Sequence, residues 1–292
     1  MSEISSIENA TAVVTGATGF IGSHLVDFLI KHGCTVHVLV RETSDQKWLN
    51  TSELVKVHIA DLTQNPLIPC LKEADYLFHC AGLTKAKTRE DFFRGNVYSS
   101  ELLYERCLEI GVNLKAIIHL SSLAATGPSI QGEPVQEKTP CRPVTFYGES
   151  KLAGEKIALK YASSLPIIVI RPPVVYGPRE KNFFIYLKVL SKGWNIKIGA
   201  VKRELSLIYV ADIVRAMIKA AVCFPAKENI YFVTDGESHV WNDISDSAMR
   251  ILDVRSRTLV IPETLLSFIS RISEVLTWFS SKPTLFDRQR VI

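Results

Sequence analysis

Tyr147-Gly-Glu-Ser-Lys151 sets a phenol and an ammonium four residues apart. On a helix this spacing puts both groups on one face, one turn apart. A tyrosine titrates near 10, about three units above neutral, so using it as a base near pH 7 demands roughly 4 kcal/mol of differential stabilisation. A neighbouring cation such as Lys151 favours the phenolate. Upstream, His119-Leu-Ser-Ser-Leu-Ala-Ala-Thr-Gly127 ends an apolar run in two hydroxyls, Ser121 and Ser122. If that run is a strand of an α/β sheet, a hydroxyl there faces the carboxyl edge, where ligands bind. Each motif alone is also met as a capping serine or a surface Tyr/Lys pair.

These groups need a frame, and a glycine loop near the N-terminus supplies its first part. In Val13-Val-Thr-Gly-Ala-Thr-Gly-Phe-Ile-Gly-Ser-His24, Gly16, Gly19 and Gly22 follow an apolar run at three-residue spacing. The first allows a turn with positive φ, the second lets a diphosphate approach the backbone, and the third removes a side chain where helix meets strand. The helix N-terminus adds N–H groups and a positive dipole end. A nucleotide diphosphate is the expected ligand. The end of the second strand, Val38-Leu-Val-Arg-Glu-Thr-Ser44, offers Val40 and Arg41 where an NAD site usually carries a carboxylate. An arginine fork pairs with a 2′-phosphate, so NADP(H) is expected in preference to NAD(H). The alternative leaves Arg41 facing solvent and Glu42 on the ribose. Asp61-Leu62 fits an adenine-edge contact, and Asp61 fits a helix cap equally well.

The remaining elements agree with this frame. Segments 10–15, 35–40, 54–60, 75–80, 115–121 and 166–170 read as strands, with helices over 19–32, 89–110 and 147–163. The strands are continuous Val/Ile/Leu runs, as expected when helices cover both faces. The alternation predicts an α/β fold, a Rossmann-type doubly wound parallel sheet. Beyond Gly177, helices are expected over 182–192, 211–223, 240–252 and 262–280, and strands over 204–210 and 229–234. Residues 1–177, with 203–223 returning, form the expected dinucleotide-binding domain. Residues 178–202 and 224–292 form a smaller substrate lobe. Phe183, Trp194, Trp241 and Trp278 line a pocket there or fill its core, and the apolar stripe of 265–279 faces a core or a partner.

Composition excludes several classes of function. The chain has 292 residues, 47% hydrophobic and 22% charged, with a net charge of +4, which is ordinary for a folded enzyme. The basic cluster Lys85, Lys87 and Arg89 lacks interleaved aromatics, so it reads as a solvated loop able to attract an anionic ligand, and no nucleic-acid partner is expected. Six cysteines without a CxxC pair and seven histidines without HExxH give no metal site. No signal peptide or membrane-length apolar run is visible, so the expectation is a soluble, cytoplasmic protein.

Taken in order, TGATGFIG, HCAG (residues 79–82), Asn96-Val97, HLSSLAATG, YGESK and RPPVVYGP (residues 171–178) resemble the extended short-chain dehydrogenase/reductase family, also called the NAD-dependent epimerase/dehydratase family. The resemblance covers at least residues 10–215. It implies that Ser122 polarises the substrate oxygen, Tyr147 acts as general acid/base, and Lys151 lowers the tyrosine pKa and holds the nicotinamide ribose. Ser122, five residues before Gly127 and 25 before Tyr147, has the family's spacing, which makes Ser121 its cofactor-side neighbour. Asn96 joins the catalytic set by organising a relay water. Cofactor contacts are implied for Thr18, Phe20 and Ile21 in the glycine loop, for Cys80, Ala81 and Gly82, and for Pro172 and Val174. A homodimer through the 89–110 and 147–163 helices is implied as well.

Val174 stands where sugar-nucleotide epimerases of the family carry Asn. With Arg41 it looks more like the dihydroflavonol-reductase and 3β-hydroxysteroid-dehydrogenase branches. Tyr209-Val-Ala-Asp212 also departs from the usual YVDDV, and Arg203 is either a substrate-diphosphate contact or a surface charge. The expected activity is NAD(P)-dependent hydride transfer to or from a secondary alcohol or ketone of a small-molecule substrate. A nucleotide-sugar epimerase or dehydratase with retained NAD is the same-fold alternative, and a non-catalytic nucleotide-binding sensor or scaffold the other.

Overall fold

The apolar runs form a parallel sheet because each has helices to bury it on both faces. The structure, a computed structural model, describes residues 7–129, 132–198, 204–222 and 230–262. Strands β1 (Thr11–Thr15), β2 (Thr35–Val40), β3 (Val55–Ile59), β4 (Tyr76–His79), β5 (Ala116–Leu120), β6 (Ile167–Arg171) and β11 (Ile230–Phe232) make one seven-stranded sheet. Its order is β3-β2-β1-β4-β5-β6-β11, and every pairing is parallel. Strands β4, β5 and β6 are buried along their whole length. Strand β3 departs from the expected continuous apolar run: its sequence VKVHI leaves Lys56 and Val57 exposed, because it lies at the sheet edge.

Helix α1 (Phe20–Lys31) packs with α6 (Val210–Val222). Helix α3 (Ser99–Ile110) packs with α4 (Phe146–Tyr161). The helix expected over 89–110 is interrupted. Helix α2 (Arg89–Phe93) leads into a π turn, Arg94–Tyr98, before α3 begins, and Gly111 ends α3 in the left-handed conformation. Arg89 is not part of a solvated basic loop: it opens α2 and pairs with Glu149 at 2.9 Å.

Strand order reverses between β1 and β4, which are neighbours although β2 and β3 lie between them in sequence. This is the switch point at whose carboxyl side such sheets bind ligands.

The chain divides into two units, Met1–Pro173 with Tyr209–Val233, and Val174–Ile208 with Thr234–Ile292. The division falls at Pro173/Val174 rather than after Gly177, and residues 224–233 go with the first unit because β11 joins the large sheet. The second unit contains helices α5 (Lys181–Ser191) and α7 (Trp241–Leu252). It also holds three strand pairs: β7 (Val174–Tyr176) with β10 (Leu207–Tyr209), β9 (Glu204–Leu205) with β12 (His239–Val240), and β8 (Trp194–Ile198) with β13 (Arg257–Ile261). The single strand expected over 204–210 is therefore two short ones. Half-buried Tyr186 packs its ring against Phe183 and Trp241 in tilted contacts, with ring centroids 6.0 Å and 5.0 Å apart, whereas Trp194 is 47% exposed. Arg203, Trp278 and the 265–279 helix lie outside the described residues. Among the described residues, no helix is long and apolar enough to cross a membrane.

Candidate active site

A cleft of about 320 Å³ opens at the switch point. Of the expected cofactor residues, Gly16, Thr18, Gly19, Arg41, Asp61, Leu62, Cys80, Ala81 and Gly82 line it, and Val40 does too. Gly16 has φ +69°, and a Cβ there would lie 2.7 Å from the Cys80 and Ala81 backbone. A Cβ on Gly22 would meet the Gly16 carbonyl oxygen at 2.2 Å, so α1 can cross the turn this closely only without a side chain. Gly19 caps α1 with no side-chain hydrogen bond, which leaves the first-turn N–H groups to an anion. This bare helix end and the backbone cradle fit a dinucleotide diphosphate. Phe20 and Ile21 are not in the lining; Phe20 turns against His24, with ring centroids 5.5 Å apart.

Ser44, Thr63, Arg94 and Ser99 also line the cleft, and sequence reasoning had not singled them out. Asp61 caps the turn Leu62–Gln64, accepting from Thr63 N at 2.9 Å and Thr63 Oγ1 at 2.8 Å. The Thr63 amide is the main reason its carboxyl titrates below the usual range, and the Arg41 charge adds to this. Asp61 is thus a cap that also faces the cleft. The Arg41 amide donates to Ser44 Oγ at 3.2 Å, folding the segment after β2 back on itself.

Helix α4 carries Tyr147 and Lys151. Thr145 caps it by accepting from Gly148 N at 2.9 Å, and a Cβ on Gly148 would lie 2.4 Å from the Ala124 carbonyl oxygen. That close approach brings Tyr147 beside Ser122, the N-cap of the turn Leu123–Ala125. Burial pushes the Tyr147 phenol up, and the neighbouring Ser122 hydroxyl partly offsets this. The Lys151 ammonium donates to the Leu120 carbonyl at 2.6 Å. Burial brings Lys151 itself down to about 8, against the opposing charge of Glu155.

Asn96 is buried against the segment after β4 and helix α4. Its Oδ1 accepts from Leu83 N at 2.6 Å, and its Nδ2 donates to Leu83 O at 3.0 Å and Ser150 Oγ at 2.8 Å. It fixes the segment after β4 against α4, and the π turn presents it inward. The Ser121 hydroxyl donates to Glu155. Glu155 also takes Arg171 Nε at 2.8 Å and Nη2 at 2.5 Å, and Arg171 Nη1 reaches Thr126 Oγ1 at 3.1 Å. This buried ion pair locks β6 to α4 and to the turn bearing Ser122. Pro172 supports the same turn through its carbonyl, which accepts from Leu123 N at 2.8 Å. Val174 belongs to the second unit and is 49% exposed.

A further buried chain runs under the cleft. Ala81 N donates to Thr15 Oγ1 at 3.0 Å, His79 Nδ1 bonds the same hydroxyl at 2.8 Å, and His79 Nε2 bonds Ser100 Oγ at 2.8 Å. Burial first, then the Lys151 charge, brings His79 down to about 3, so it stays neutral and fixes the floor beside Ala81.

A depressed lysine makes a pH prediction. Lys151 is brought from 10.5 to about 8 in the folded chain, so between these values the unfolded chain binds more protons. Stability from this group therefore rises as pH increases through that window. The difference in unfolding free energy between wild type and Lys151→Met, measured in urea from pH 7 to 10.5, should grow with pH; a flat difference would show that Lys151 is not held in this way.

The model of the NAD dependent epimerase/dehydratase family matches residues 12–231. The chain belongs to this family. The ceramide reductase of Caulobacter vibrioides is 26% identical over 94% of this chain and 80% of that protein. The sterol-4-alpha-carboxylate 3-dehydrogenase of Dictyostelium discoideum is 26% identical over 77% and 71% of the two chains. The UDP-glucose 4-epimerase of Vibrio cholerae is 27% identical over 81% and 73%. Among solved structures, MoeE5 in complex with UDP-glucose and NAD superposes with a TM-score of 0.73 at 26% identity, over 86% of this chain and 85% of the other. The epimerase Mth375 of Methanothermobacter thermautotrophicus shares the fold with a TM-score of 0.81 at 20% identity, over 90% and 82%.

Proposed function

We propose that the protein is an NADP(H)-dependent reductase of a ketone on a small, largely apolar molecule. The observation that carries this reading is the gathering of Ser122, Tyr147 and Lys151, all following β5 or on α4, at the carboxyl edge of the sheet. When bound, the nicotinamide dinucleotide supplies the redox equivalents. Ser122 and Tyr147 then bind the substrate oxygen. Burial keeps Tyr147 protonated near neutral pH, which suits a general acid giving its proton to the oxyanion as the ketone is reduced. Ser122 stabilises the same developing charge. Lys151, freed from Leu120, supports the phenolate left behind.

NADP(H) is supported by the tip of β2, where Val40, Arg41 and Ser44 line the cleft and Arg41 offers its cation to a 2′-phosphate. An apolar substrate is supported by Val174, in the place where the family's sugar-nucleotide enzymes carry Asn, and by the ceramide reductase that aligns with 94% of the chain. The test is a fluorescence titration of Arg41→Ala with NADPH and NADH. Losing a hydrogen-bonded charge contact of about 1.5–3 kcal/mol should weaken NADPH about tenfold to a hundredfold and leave NADH unchanged. An equal effect on both dinucleotides would remove the 2′-phosphate role.

A second reading is a nucleotide-sugar epimerase with retained NAD. It is favoured by the 26% identity to MoeE5, which was solved with UDP-glucose and NAD. Saturable binding of a UDP-sugar to protein carrying a non-exchanging dinucleotide would select it.

A further inference from the structure

His37, His58 and Cys70 are far apart in sequence and show no ligand spacing, yet the fold collects them on one face of the large sheet. In the parallel register, His58 on β3 stands opposite Leu39 on β2, two residues beyond His37. Side chains two apart on a strand share a face, so the imidazoles are diagonal neighbours. The turn Pro69–Glu73 runs over this face and brings in Cys70, which packs with Leu39, Ala60 and Ile68. One donor atom from each of the three lies within 4.8 Å of the others. His37 Nδ1 is 2.8 Å from His58 Nε2, and the rings stack at an interplanar angle of 13°.

We propose that His37, His58 and Cys70 form a binding site for one thiophilic transition-metal ion of the Zn(II) class. Tetrahedral zinc with bonds of about 2.0–2.1 Å to nitrogen and 2.3 Å to sulfur holds such donors roughly 3.3–3.6 Å apart. The two nitrogens need only open slightly and the sulfur close in, which side-chain rotation achieves. An imidazole–thiolate set matches the preference of zinc and similar ions over hard cations. His37 and Cys70 are 5% and 6% exposed, whereas His58 is half-buried and leaves an approach for the ion and a fourth position for water. In the balance, the ion displaces the hydrogen bond between the rings, the ring that donated it loses that proton to solvent and takes one up on its other nitrogen, and the Cys70 thiol proton passes to solvent. His37 lies three residues before Val40 and His58 three before Asp61, so an ion here would clamp β2 to β3 beside the part of the cleft that Val40 and Asp61 line.

Titration of the full chain with Co(II), followed by absorbance and by proton release, tests the site. The expected result is one ion per chain, a near-ultraviolet thiolate-to-cobalt band, one proton released per ion, and competition by Zn(II). Cys70→Ser should abolish the band. His58→Gln, at a half-buried position, should weaken binding by at least the roughly 10–100-fold lost when even an outer partner of a ligand is removed. Circular dichroism of both ion-free variants serves as the folding control. Absence of the band in wild type, or a band of equal strength and affinity in His58→Gln, would overturn the site, the latter by locating the ion on another of the free thiols.

Discussion

Tyr147→Phe is expected to cost about 10²–10⁴-fold in turnover, the range over which a positioned acid or base contributes, while the dinucleotide Kd stays at the wild-type value. The split follows from where the hydroxyl sits. It lies beside Ser122 and is not among the groups that line the cleft, whose walls come from the ends of β1 and β2, the segments following β1, β2, β3 and β4, and Arg94, Gly95 and Ser99. Removing one oxygen leaves the ring and its packing against Phe92, with centroids 6.1 Å apart, in place. Loss of proton transfer without loss of binding is the signature of a catalytic hydroxyl. Near-normal turnover in this variant, measured as dinucleotide oxidation with a ketone substrate, would remove Tyr147 as the acid.

The largest expected effect on stability is at a residue that touches neither substrate nor cofactor. Glu155→Gln leaves the Arg171 guanidinium buried without its counter-charge, since the two side chains are 1% and 2% exposed. Burial works against the Arg171 charge, and the hydrogen bonds and charge of Glu155 overcome it, holding its pKa above the ordinary arginine value. Breaking such a pair from one side costs about 3–5 kcal/mol, whereas replacing both partners by apolar groups is often neutral. The urea midpoint of Glu155→Gln should fall accordingly at constant m-value, and Glu155→Leu combined with Arg171→Met should recover most of the loss. A Glu155→Gln midpoint equal to wild type would show that the pair contributes nothing. A second readout separates positioning from bulk stability. Glu155 raises Lys151 against its burial, so Glu155→Gln should move the lysine limb of the pH–rate profile to lower pH.

What the sequence made legible follows from the range of the interactions involved. The glycine loop, the tip of β2 and the Tyr147/Lys151 pair are local patterns whose meaning is complete within a few residues. The sheet followed from continuous apolar runs, which burial on two faces requires. Less visible were elements fixed by tertiary partners: β8 and β13 pair with each other across a gap of some sixty residues, and Arg257–Ile261 is mostly exposed and carries no core signal. The π turn at Arg94–Tyr98 depends on Asn96 reaching Leu83 and Ser150, which no periodicity reports. Arg171 stood in the quoted RPPVVYGP motif without a role because Glu155, its partner, lies sixteen residues back on another element. The same limit hid His37, His58 and Cys70, whose meeting is set by strand register.

The central claim is that the Ser122, Tyr147 and Lys151 site works with an exchangeable NADP(H). Its most direct test is the dinucleotide content of the purified protein, followed by titration with NAD⁺, NADP⁺, NADH and NADPH. The account predicts protein free of tightly held dinucleotide, with NADPH bound more tightly than NADH. Protein carrying stoichiometric, non-exchanging NAD, or binding NADH more tightly than NADPH, would contradict it.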